Sequence, residues 1–371
     1  MADILPTAGL IVIFAVVLAG PFAVRRIEHN LEVFLLACGA AALTIAGFIH
    51  IPGELTGWRW EIVIEALSAP VRITDLLGFI PIGIVQVVLV VGYVFYRWHD
   101  TIRNRICSAC GKLPLWLVVF ILIVALGLLS SIISAIIAAI ILIEVLCCLP
   151  LSHGLRVRLV VVACFSIGIG AALTPLGEPL STIAVQKLSG PPYFADFGYL
   201  LRLLGVYVLP GIVAYGVLGA FIARKAMTSG LEECHLFRED LREVFMRAAK
   251  VYVFITALVL LGEGFKPLIL EYVIRIPSAA LYWVNTVSAV LDNATLAAAE
   301  IGPALSEQQI LTALMALLVA GGMLIPGNIP NIIAAGKLKI RSTEWARIGV
   351  PIGIASLVVY FAILFSPLVI S

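Results

Sequence analysis

Along this chain apolar residues run in stretches of about 20, enough for a helix to cross a bilayer, and short polar or Pro/Gly-rich loops separate them. The pattern predicts membrane helices over residues 4–24, 31–51, 77–96, 159–188, 199–224, 251–270, 310–335 and 348–370, with 159–188 and 310–335 each interrupted. Two further apolar regions, 113–151 and 277–303, need a separate decision. The first run lacks a basic leader and is followed by more spans, so it reads as a retained helix and not a cleaved signal.

Composition points the same way. Of the 371 residues, 62% are hydrophobic and 12% charged, where a soluble domain has about 25% charged. A water-soluble globule is excluded. A net charge of +2 gives no footprint for nucleic acid. The seven cysteines (Cys38, Cys107, Cys110, Cys147, Cys148, Cys164, Cys234) fall in apolar runs or loops read as cytoplasmic, so no disulfide framework is expected. Cys107-Ser-Ala-Cys110 has half the spacing of a metal site; without a second such pair it is read as packing.

Short loops rich in Lys and Arg stay cytoplasmic, and five qualify: Arg25-Arg26, 97–112, Arg156 with Arg158, 224–250, and 337–347. They all fall on one side if 113–151 enters and returns from the cytoplasm and 277–303 does so from outside, turning near Ser288–Asp292. Each arm of the second hairpin would hold about a dozen residues, too few to span. The predicted fold is therefore an all-α polytopic membrane protein of about eight crossings and two re-entrant hairpins, with both termini outside. Its segments are 1–112 (scaffold helices), 113–198 (first hairpin and broken helix), 199–276 (scaffold helices and a cytoplasmic loop), 277–347 (second hairpin and broken helix) and 348–371 (last helix).

The two hairpin segments are alike, Ser134-Ala-Ile-Ile-Ala-Ala139 against Ser288-Ala-Val-Leu-Asp-Asn293. So are the interrupted helices after them, Pro175-Leu-Gly-Glu-Pro-Leu-Ser-Thr-Ile-Ala184 against Pro326-Gly-Asn-Ile-Pro-Asn-Ile-Ile-Ala334, aligned with one deletion. Pro removes a backbone donor and Gly tolerates unusual dihedrals, so both stretches unwind in mid-membrane. Carbonyls bared there need a cation or a watered cavity as partner. Inverted repeats with broken helices are a transporter signature.

Candidate site residues cluster at those breaks. Asp292 near the second tip is the strongest, because a carboxylate at that depth is costly. Glu178 lies in the first break, and Glu144 on the returning arm of the first hairpin. Ser134, Thr174, Ser181, Thr182, Ser288, Asn293, Asn328, Asn331 and the backbone at Gly327 supply oxygen ligands suited to a hard cation, with Asp292 and Asn293 proposed to hold Na⁺. Glu263 is read as a helix-surface partner of Lys266, and Glu300 as solvated near the outer mouth. All five histidines lie in loops or at helix ends, and neither His-Glu-x-x-His nor Gly-x-Ser-x-Gly occurs, which disfavours an enzyme.

Leu291-Asp292-Asn293, Pro326-Gly-Asn with Pro330-Asn331, and Thr174-Pro-Leu-Gly-Glu-Pro179 together resemble the ion transporter superfamily. Within it the chain is similar to NhaD-type sodium/proton antiporters, ArsB-type arsenite pumps and related predicted cation transporters, over roughly residues 113–345. The resemblance implies a dimer whose hairpin tips and unwound helices bind substrate and coupling ion and move as an elevator. It also implies a polar pair where hairpin one carries Ala138-Ala139, so the first half is less charged than the resemblance predicts.

The expected activity is sodium/proton antiport across a prokaryotic cytoplasmic membrane, with Na⁺ and H⁺ competing for Asp292 and no other cofactor. Sodium-coupled transport of a small anion such as a dicarboxylate or arsenite, and a membrane-embedded enzyme or scaffold, are the alternatives. The topology carries its own test. A cysteine placed at Lys339 should react with an impermeant maleimide only from the cytoplasmic face, and labelling from outside would remove the second hairpin.

Overall fold

In the computed structural model, residues 4–23, 30–51, 54–72, 74–75, 81–110, 113–225, 240–289 and 293–366 are described, with only the backbone for some helical residues such as 102–110. Fifteen α-helices appear among them: α1 (Ile4–Ala23), α2 (Leu31–Ala46), α3 (Trp60–Ser68), α4 (Ile84–Cys110), α5 (Leu115–Ile133), α6 (Ala135–Cys148), α7 (His153–Ala171), α8 (Pro179–Lys187), α9 (Tyr199–Lys225), α10 (Leu241–Glu271), α11 (Ser278–Val284), α12 (Asn293–Glu300), α13 (Glu307–Gly321), α14 (Ile329–Leu338) and α15 (Ser342–Leu364). The one sheet is an antiparallel pairing of Thr74–Asp75 with Pro81–Ile82.

Five helices (α5, α7, α9, α10 and α15) are long and apolar enough to cross a membrane. Others, such as α2, α6 and α13, are apolar but shorter. The two regions read as hairpins differ in size. Of 19 residues, α5 is about 28 Å long and could span unaided, whereas 277–303 holds only the seven-residue α11, a 3-10 turn over Asn285–Ala289 and the eight-residue α12.

Helix starts follow local chemistry. Asp240 caps α10 and Glu243 reaches back to its backbone N–H; Ser306 and Gln309 form the same reciprocal pair at α13. The Gln309 carboxamide also donates to the carbonyls of Ile274 (3.1 Å) and Ile276 (2.9 Å), fixing α13 to the turn before α11.

Small residues let the helices approach closely, as they must where lipid is as apolar as the side chains. At the α2–α10 crossing, a Cβ on Gly39 would stand 3.0 Å from the Ala257 carbonyl oxygen. Where α5 crosses α7 the fit is tighter, because a Cβ on Gly170 would come within 1.8 Å of the Gly127 carbonyl oxygen. Ser130 bridges the same crossing by donating to the carbonyls of Gly127 and Ile167, and Ser166 by donating to Ile123.

Burial separates hub from rim. The α7 span is 83% buried and the α15 span 28%, so α7 is the axis against which α5, α6, α9, α13, α14 and α15 pack. Val206, Val213, Val217 and Phe221 on α9, with Ile354 and Val358 on α15, form an exposed apolar face suited only to lipid or another apolar surface.

Replacing Gly170 with Ala should lower thermal stability by about 1–3 kcal/mol, since α5 and α7 must separate to admit the methyl group. Gly154→Ala, in the same helix with nothing within 4 Å of the added carbon, should match or slightly exceed wild type in the same melting experiment.

Candidate functional site at two matched helix breaks

Helix α7 ends at Ala171, α8 starts at Pro179, and the chain between leaves the helical path. Helix α13 ends at Gly321, α14 starts at Ile329, and a 3-10 turn over Ile325–Gly327 lies between. Both breaks finish the same way. The residue before the new helix is extended, Glu178 at φ −156°, ψ 162° and Asn328 at φ −154°, ψ 148°. A glycine precedes each, turned against the last carbonyl of the helix before the break. A Cβ on Gly177 would lie 1.9 Å from the Ala171 oxygen, and one on Gly327 would lie 2.6 Å from the Gly321 oxygen.

These pairs stand at a constant spacing of 150 residues (321 less 171, 327 less 177, 328 less 178). The one-residue deletion in the sequence alignment therefore falls before the glycines. Glycines and cap residues are in register without a gap, and the prolines occupy the first position of α8 and the second of α14, both tolerant because those N–H groups have no helical acceptor.

The turns before the returning arms differ more than the sequence alignment suggests. Ser134 alone separates α5 from α6, at φ 76° and ψ 149°, a conformation that costs about 1–3 kcal/mol for a residue with a side chain. Contacts with the first break hold it there. The Ala135 N–H donates to the Gly177 carbonyl (2.8 Å), and the Thr174 hydroxyl donates to the Ser131 carbonyl. Ser288, aligned with Ser134 by sequence, sits instead in the last turn of the entering arm and donates to the Leu317 carbonyl on α13 (3.1 Å). Residues 290–292, Asp292 among them, lie outside the described residues, and α12 starts at Asn293.

The two halves exchange arms. Helix α6 of the first half packs on α14 of the second, and α12 of the second packs on α8 of the first. Asn328 lies against α7, where a Cβ on Gly168 would come within 2.6 Å of its Nδ2, and the Cys164 thiol on the next turn of α7 faces the Pro330 carbonyl at 3.8 Å. At the far end of α8, Lys187 Nζ donates to the carbonyls of Ala298 (2.6 Å) and Ile301 (3.1 Å), a cation on the C-terminal end of α12.

Polar side chains at the breaks fall into two groups. Some hold unwound backbone. Thr182 donates to the Pro175 carbonyl (2.7 Å), Ser181 to that of Glu178 (2.7 Å), and Asn331 Nδ2 to those of Gly321 (2.8 Å) and Leu324 (2.9 Å). The others are buried without a hydrogen-bond partner: Ser134 Oγ, Asn293 Nδ2, both amide atoms of Asn328, and Asn331 Oδ1. Beside them Glu178 is 2% exposed, so it does not occupy a watered mouth. Buried amides normally find partners, and this set is rich in oxygen acceptors of the kind hard cations take. Among the described residues no three His, Cys, Asp or Glu gather as a metal cluster.

Three expectations are overturned. Lys266 pairs with Glu54 (2.6 Å) and not with Glu263, which instead faces Lys187 and Glu65. Glu300 is buried. Cys147 and Cys148 are each disulfide-bonded, while Cys38 and Cys164 are free and the side chains of Cys107, Cys110 and Cys234 lie outside the described residues.

The two groups should respond oppositely to truncation. Thr182→Val leaves the Pro175 carbonyl bare and should cost about 1–3 kcal/mol in a detergent melt, whereas Asn328→Ala removes a group with nothing to lose and should be neutral or stabilising. Equal losses in both would mean that Asn328 has a partner.

No curated protein matches the chain. One family model, described as a protein of unknown function, matches residues 7–366. The chain belongs to the DUF1646 family.

Proposed function

We propose that this chain is a secondary active cation transporter that exchanges Na⁺ for protons by alternating access. The supporting observation is the register of the two breaks: both converge on α7, and together they leave a set of buried polar atoms, chiefly on Asn328, Asn293 and Ser134, without partners. In this reading the chain crosses a prokaryotic cytoplasmic membrane eight times and dips into it twice, and works as a homodimer.

Asp292 is the charge carrier. It immediately precedes α12 in sequence. Na⁺ bound between the carboxylate and the oxygens of Ser288, Asn293, Asn328 and Gly327 neutralises the acid, and so does a proton. Either occupant lets the unit move through the low-dielectric midplane, while the bare carboxylate is held back by the cost of burying charge. Exclusive occupancy then gives exchange. Thr174, Ser181, Thr182 and Asn331 keep the unwound backbone open, and Glu178 adds a second buried acid in the first break.

Asp292→Asn should abolish Na⁺-driven proton movement in inverted vesicles while the variant stays folded. Wild-type exchange in that variant, or Na⁺-stimulated flux of labelled succinate or arsenite, would replace this proposal with the anion reading.

A further inference from the structure

Away from the breaks lies a further buried acid that the exchange cycle does not use. Glu300 closes α12, the short helix that Asp292 precedes, and is 8% exposed. The carboxyl lies at the wall of a cavity of about 290 Å³ between α1, α10, α11 and α12. Every other lining residue is hydrophobic, Phe14, Phe265, Leu268 and Tyr272 included.

The Asn285 carboxamide is beside Glu300. Yet Glu300 Oε2 and both ends of that carboxamide are buried without completing a hydrogen bond of good geometry. An amide and a carboxyl fit each other best when the carboxyl keeps its proton, because each then offers one donor and one acceptor. The apolar wall favours the neutral form as well, since it offers nothing to solvate a charge.

Among the described residues no cation is placed to override this. Among the elements packed on α12, α8 brings Lys187, whose Nζ is committed to the Ala298 and Ile301 carbonyls. Helix α10 brings Glu263, which faces Lys187, and Lys266, which pairs with Glu54; Glu271 at its end is exposed. Helix α13 starts with Glu307, which is exposed, and the 3-10 turn over Asn285–Ala289 has no ionisable residue. Tyr272 is the one other ionisable group on the cavity wall.

We propose that Glu300 and Asn285 form a second proton-binding site, reached from the apolar cavity and separate from the breaks. It goes beyond the exchange reading and rests on it in one respect: if the chain transports, the proton has a carrier of its own at the opposite end of α12 from the cation. Lys187 then ties that end to α8, so protonation at Glu300 and occupancy at the first break act on one mechanical unit.

Difference infrared spectra of the purified protein test this without any flux. Wild type should show a protonated-carboxyl C=O stretch that fades as pH rises and is missing in Glu300→Gln; superimposable spectra would overturn the site. Should the Gln variant fail to fold, mass mapping of wild type after treatment with dicyclohexylcarbodiimide, which modifies protonated buried carboxyls, replaces it. An adduct on the Glu300 peptide that is stronger at acid pH supports the site, and its absence at every pH overturns it. Because neither readout involves Na⁺, a protonated Glu300 in a protein that moves no Na⁺ would end the transport reading and leave this one.

Discussion

A backbone opened inside a bilayer must find partners for its N–H and C=O groups, since each left bare in hydrocarbon costs several kcal/mol. This chain opens its backbone twice and meets most of the demand from within. Hydroxyls and amides of Thr174, Thr182, Ser181 and Asn331 take carbonyls of α5, α13 and the break segments. Gly177 and Gly327 let the chain fold back against the helix it has just left. The polar atoms not used in this way define the candidate site.

The exchange of arms follows from the same constraint. A short returning helix such as α12 cannot bury its own ends, so it borrows cover from the opposite half: α8, with Lys187 placed on its last carbonyls. Helix α6 leans on α14 in return. In the proposed alternating-access cycle, this packing would couple motion of one break to the arm of the other. The heavily buried α7 is the shared axis, and the apolar outer faces of α9 and α15 are exposed, suited to lipid or another apolar surface.

Much of this was legible in the sequence because the signals were local. Hydropathy placed the long helices, and Pro with Gly marked both breaks and their kinship. Within the repeat a proline is tolerated at either of the first two helical positions, so it slips by one, whereas a Cβ on either glycine would meet a carbonyl oxygen less than 3 Å away. Ser134 and Ser288 were equated from the sequence, although only Ser134 occupies the link. Glu300 was misjudged because a place near the expected outer mouth suggested water, and nothing local announces that other helices will cover that end. The bridging of Cys147 and Cys148 was missed because compartment, not geometry, was the argument.

The account stands on one claim, that both halves build a single cation site where the breaks meet. Isothermal titration of Na⁺ into wild type, Ser134→Ala and Asn328→Ala measures it directly. One Na⁺ per chain, with affinity weakened by either substitution, is the result this structure predicts. Binding untouched by Ser134→Ala, or no Na⁺ binding in wild type at all, would contradict it.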